Sequence, residues 1–196
     1  MQNQKKEVKK ATLLDLGRRR KQSGELSMIE GAAVMAAAAL LALLAYAGGK
    51  FVMDRVHASQ FKSEAQLIHT GILDATANDT DFSSETLQTL SQNHAFDSAG
   101  WRVASGGAGV TGMFGGSVTA ATGTVISTND AMVVSYPVPA TVCSLSIAAI
   151  ANAYTEVTVN GTTVSSPSTT FSSTTAAAAC TSAGATATVA MYTTRS

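Results

Sequence analysis

A chain of 196 residues has room for one ordinary domain, or for a small domain plus a membrane segment. Its formal net charge of zero hides a split: residues 1–24 hold eight bases and two acids, and the remainder five bases and eleven acids. No aromatic or helical pattern in the first 24 residues supports a nucleic-acid-binding tail. A basic piece ahead of an apolar run is instead the pattern that keeps a segment in the cytoplasm.

The junction reads GELSMIEG over residues 24–31, placing Glu25 and Glu30 where the apolar run begins. The run itself, GAAVMAAAALLALLAYAGG over residues 31–49, has no charge and no proline. At about 1.5 Å per residue it nearly matches a hydrocarbon core of roughly 30 Å. Its wealth of Ala and Gly exceeds what lipid exposure requires and suits close helix–helix packing. Ala45-Tyr46-Ala47 fits the small-x-small rule of signal peptidase, which leaves a secreted module released after Ala47 as one reading. The long leader and an acid at position 30 count against it.

Residues 51–76 begin FVMDRVHASQFKSEAQLIHTGILDA. Val52, Val56, Phe61, Ala65, Ile68 and Ile72 recur at mostly three- and four-residue intervals, with Asp54, Arg55, Lys62 and Glu64 between them. That spacing predicts an amphipathic stalk. A glycine in a helix costs about 1 kcal/mol, so Gly48-Gly49 need not interrupt a single rod over residues 26–75. A signal peptide removed by cleavage is not expected to share a rod with the mature domain.

Residues 78–130 mix short apolar pieces with glycine clusters and predict one short helix at 84–90, capped by Ser83 or Ser84. Beyond residue 130 only Glu156 and Arg195 are charged. Strands are expected at 131–136, 154–159 and 185–194, and helices at 140–152 and 173–181. Asn160-Gly161 is a hairpin turn signal, with the return strand at 162–164. The fold class is therefore α+β, with an antiparallel sheet packed on the stalk. Cys143 and Cys180 both fall in this region, beyond the apolar run from the basic leader. An even count in an exported domain implies a disulfide.

These features together resemble a type IV prepilin: a basic leader ending in Gly24, an acid soon after, an apolar helix continuing as a stalk, and a β-rich head with a cysteine pair. LSMIEGAAV (residues 26–34) resembles the N-terminal helix of type IVb pilins. MFGGSVTA (113–120), VPATVCSLS (138–146) and YTEVTVNGTTV (154–164) are similar to PilS-like major pilins of thin conjugative and adhesive pili. The resemblance implies a pilin fold, with residues 1–24 removed by prepilin peptidase, a long helix over 25–76, and a head over 77–196. It also implies an inner-membrane subunit that later joins identical copies in an extracellular filament with the help of an assembly machinery. In the family the cut follows glycine and leaves glutamate fifth. Here a cut after Gly24 makes Glu25 first and Glu30 sixth, while a cut after Glu25 restores the spacing but abandons the glycine. The stricter glycine rule favours Glu25 as the first mature residue. A carboxylate at Glu30 is then placed to pair with the N-terminal amine of a neighbouring Glu25. At roughly 4 Å and an effective dielectric near 20 that attraction is about 4 kcal/mol, similar to the cost of burying the acid, so its role is axial register more than stability.

Other chemistry is poorly served. His57, His69 and His94 lack metal-ligand spacing, and His57 and His69 are expected on the solvated side of the stalk. No nucleophile elbow, phosphate loop or paired catalytic carboxylates occur, so neither an enzyme nor a cofactor is expected, and no nucleic acid is bound directly. Asn160-Gly161-Thr162 matches a glycosylation sequon, but the turn explains it better. A pseudopilin of a secretion machine is the nearest alternative; the calcium-ligand acids expected near the C-terminus of many of these are absent.

Overall fold

A computed structural model describes residues 28–195, with side chains from residue 32 onward. The leader, Gly24 and Glu25 lie outside the described residues. The chain divides into two compact units, residues 1–50 and 51–196.

In the first unit the described backbone is helical throughout, as the opening part of α1 (Met28–Ala75). Ala and Leu lead the helix propensity scale, and the run contains no proline to break the hydrogen-bond ladder. The helix passes through Gly48 and Gly49 without interruption.

In the second unit the rest of α1 is the stalk. Ala58, Phe61, Ala65, Ile68 and Ile72 on one side of it are buried. Against that side lies an antiparallel sheet in the order β1-β2-β3-β6-β4-β5, with β1 Val110–Thr111, β2 Ser117–Gly123, β3 Ala131–Pro139, β4 Glu156–Val159, β5 Thr162–Ser165 and β6 Thr186–Thr194. The last strand therefore sits in the middle. It pairs with all nine residues of β3, from Ala131↔Thr194 to Pro139↔Thr186, and with β4 on its other side. The α+β class expected of the sequence is the one observed. Alternation along β3 turns Met132, Val134, Tyr136 and Val138 into the core. Pro137 and Pro139 are tolerated because pairing with β2 ends at Ser135, leaving their missing N–H groups on an unpaired edge.

Several boundaries differ from those expected. The short helix is α2 (Leu87–Gln92), capped by Thr86 rather than Ser83 or Ser84. Thr86 and Thr89 form a reciprocal capping box, whereas the Ser83 amide and hydroxyl are both taken by the Asp81 carboxylate. β3 runs three residues past 136, and β4 begins at Glu156, because Tyr154 turns its ring into the core. The helix expected at 140–152 is α3 (Ala140–Ile150), and that at 173–181 is α4 (Ser173–Thr181). β2 was not expected; its SVTAATG is too small and too mixed to show a clear period. The Asn160-Gly161 turn has φ of 49° and 81°, the left-handed pair that a tight hairpin requires.

Gly71 shows how closely the stalk is packed. A Cβ built there would lie 2.7 Å from the Ala95 carbonyl oxygen and 2.9 Å from its Cα. In a free helix Gly→Ala gains about 1 kcal/mol. Here the neighbour is backbone and cannot yield easily, so overpacking of about 1–3 kcal/mol wins. Gly71→Ala is expected to lower the melting temperature of the detergent-solubilised protein; a rise would show that residues 94–96 give way freely.

Candidate assembly surface

Every described side chain of the first unit is exposed, Val34, Met35, Leu40, Leu41, Leu43, Leu44 and Tyr46 among them. Its richest 18-residue window has a mean hydropathy of 2.0, so the helix is long and apolar enough to cross a membrane. A surface of this kind cannot rest in water. Glu30 lies in the first turn of α1, where the helix dipole favours an acid, but its side chain is outside the described residues.

The stalk carries a second apolar stripe, turned away from the head. Val52 and Val56 do not join Phe61 on the covered side as the spacing predicts; both are exposed, and so is Leu67. By the 3.6-residue repeat, Val52, Val56 and Leu67 fall within about 60° of one another and opposite Phe61, Ile68 and Ile72, sharing their face with Ser59, Ser63 and Thr70. The misreading came from treating two stripes as one.

Glu64 is the functional residue that the pattern missed. Grouped with the solvated charges, it is in fact buried, bonded to Arg102 by Oε2 at 2.6 Å and Oε1 at 3.1 Å. The Tyr136 hydroxyl donates to Oε1 at 2.9 Å and accepts from the Met113 amide. Arg102 also donates to the Thr111 carbonyl at 2.9 Å. One carboxylate thus ties the stalk to the segment after α2, to β1 and to β3. The bond to Glu64 holds the Arg102 guanidinium above its ordinary pKa, and burial pushes the Tyr136 phenol up, so both keep their protons. The signal lay in the stripe itself: Glu64 stands three residues after Phe61 and four before Ile68.

Farther along, the buried Tyr154 hydroxyl donates to the Ala65 carbonyl at 2.6 Å, and its ring packs on His69 at 5.0 Å between centroids. His69 is half-buried against the head rather than solvated, and desolvation lowers its pKa. His57 is also partly covered, edge-on to Phe114. His94 is exposed and meets Asp97 at 3.1 Å. Among the described residues, no three His, Cys, Asp or Glu side chains gather as a metal site would need.

A disulfide staples two helices of the head. Cys143 on α3 and Cys180 on α4 are buried and joined as a disulfide, 37 positions apart with Cα atoms 5.8 Å apart. Loop-closure arithmetic for such a span gives on the order of 4 kcal/mol. Asn160 is committed to structure: its amide donates to the Ala179 carbonyl at 2.8 Å, and its oxygen accepts from the Thr188 amide at 2.9 Å. The turn is therefore clamped to both α4 and β6.

A long helix with a bare apolar end, its stalk laid on an antiparallel sheet, defines a pilin-type subunit. The family model described as PilS N terminal matches residues 56–194, and the chain belongs to this family of PilS-like type IV pilins. No curated protein matches the chain significantly. Membership carries a type IV pilin-like structural role and self-assembly into a pilus.

The Glu64–Arg102 pair can be tested directly. The two side chains retain 9% and 15% of their exposure. Removing one partner strands the other charge, so Glu64→Ala is expected to lose about 3 kcal/mol of stability. Arg102→Met should lose a comparable amount, and Glu64→Ala with Arg102→Met together less than the sum. Denaturant titration of the detergent-solubilised variants measures this; strictly additive losses would contradict a coupled pair.

Proposed function

We propose that the chain is the major subunit of a type IVb pilus, an extracellular filament that serves adhesion, aggregation or conjugative mating. The observation that carries the reading is the uncovered apolar helix in a chain whose head belongs to the PilS family. Residues 1–24 act as a leader removed by prepilin peptidase at Gly24, leaving Glu25 first. The subunit waits in the inner membrane with its head outside, and the assembly machinery then moves its helix into a bundle of identical helices.

That transfer exchanges lipid for sister helices, and the two are about equally apolar. Hydrophobic burial therefore drives it weakly and leaves axial register free. Close packing of the Ala-rich surface supplies contact, and the stripe of Val52, Val56 and Leu67 extends it along the stalk. Register is the task of Glu30, whose carboxylate meets the amine of Glu25 on an adjacent subunit.

Glu30→Ala makes the helix more apolar, so insertion and leader removal are expected to persist while filament entry is lost. Glu30→Gln keeps the size but not the charge and is expected to assemble poorly. The measurement follows cleaved protein in membranes and in sheared surface material, with electron microscopy of the latter. Normal filaments of Glu30→Ala subunits would contradict this role, and short stubs confined to the periplasm would favour a pseudopilin.

A further inference from the structure

Large apolar side chains of the head are mostly inside, and Trp101 is the clearest exception, with 93% of its surface exposed. It is the only tryptophan in the chain. It stands in the 3-10 segment Asp97–Arg102, between Ala99, which is buried, and Arg102, which is bonded to Glu64 and to the Thr111 carbonyl. The backbone bends at Gly100, with φ 55° and ψ −125°, a conformation natural to glycine. The indole is therefore held out by backbone fixed on both sides. A preorganised, bare tryptophan loses little freedom on being covered and offers a large apolar area, the properties of a binding hot spot.

Its tether points to the occupant. Glu64, which holds Arg102, lies on the stalk flank between head-facing Ile68 and outward-facing Leu67, about 60° from the latter by the helical repeat. The tryptophan segment is thus hung from the stalk flank next to Leu67, one of the uncovered apolar residues of the outward side. A contact repeated in every subunit of a helical polymer needs a fixed position relative to the helix axis, and an ion pair to the stalk provides it. The pilin family to which the chain belongs self-assembles into a pilus, so the partner offered to that position in every subunit is another copy of the chain.

We propose that Trp101 is an intersubunit anchor, covered in the filament by a second copy of this chain. The proposal rests on the pilus reading above. Because Trp101 is the sole tryptophan, its fluorescence reports on it alone. Wild-type protein is compared as detergent-solubilised subunit and as intact sheared filament, for emission maximum and for quenching by acrylamide. Filaments are expected to show a blue shift and several-fold weaker quenching. Filaments of Trp101→Ser are expected to dissociate under milder heating than wild type, with Trp101→Phe between them. Emission and quenching unchanged on assembly would overturn the anchor while leaving the pilus reading intact, and so would Trp101→Ser filaments as robust as wild type. Failure of wild-type protein to form any filament would overturn both.

Discussion

Apolar surface that cannot be left in water is the constraint on which this chain depends. Covering one large aliphatic side chain is worth about 1.5–3 kcal/mol. The first unit bares Val34, Met35, Leu40, Leu41, Leu43, Leu44 and Tyr46, so its helix requires a continuous apolar partner at every stage. Lipid and sister helices both serve, and a surface built mainly of alanine is smooth enough for either. A side chain such as Phe in place of these alanines would suit lipid but would hold neighbouring helices apart. On the proposed path from membrane to filament the composition is a compromise between two solvents, and what discriminates them has to be polar.

The stalk meets a different demand, because the head covers only one of its sides. The side toward the head is closed by Phe61, Ala65, Ile68 and Ile72, while Leu67 and Val56 stay bare. Apolar packing alone leaves a helix free to rotate or slide on a sheet. Directional bonds remove that freedom. Glu64 accepts from Arg102 and Tyr136, and the Ala65 carbonyl accepts from Tyr154, so adjacent stalk positions are gripped from different parts of the head. A buried ion pair adds little net stability beside a well-packed hydrophobic alternative. Its contribution here is orientation, which fixes which stripe faces outward. The central place of β6 adds a second form of closure: β4 joins the sheet only through the last strand, and Arg195 beyond it reaches back to Asp79 and the Phe82 ring.

Much of this was legible in residue order, and the parts that were not have physical reasons. The 3.6-residue period and the absence of breakers revealed α1, and the Asn160-Gly161 pair revealed the β4–β5 hairpin. α4 was expected at 173–181 and stands there; the structure adds its cap, the Ser172 hydroxyl accepting from the Thr175 amide. β2 escaped because its side chains are too small for a strand signature and its place is set by pairing with β3. Glu64 escaped because a charge on a periodic helix reads as solvated until its partner is known, and Arg102 lies 38 residues away. Val52 and Val56 were assigned to the wrong face because the stalk has two apolar stripes, only one of them covered by its own head. The roles proposed for Gly24, Glu25 and Glu30 rest on the leader junction and the resemblance it carries, and these residues' side chains lie outside the described part of the structure.

In the pilus reading the apolar helix stays attached to the head and enters a filament. The most direct measurement is mass spectrometry of the mature N-terminus in sheared surface material. Glu25 is the first residue expected, with α1 intact from its start; Leu26 would only move the cut by one position. A mature protein beginning at Gly48 would contradict it, because the head would then have left the cell without the helix that builds the pilus.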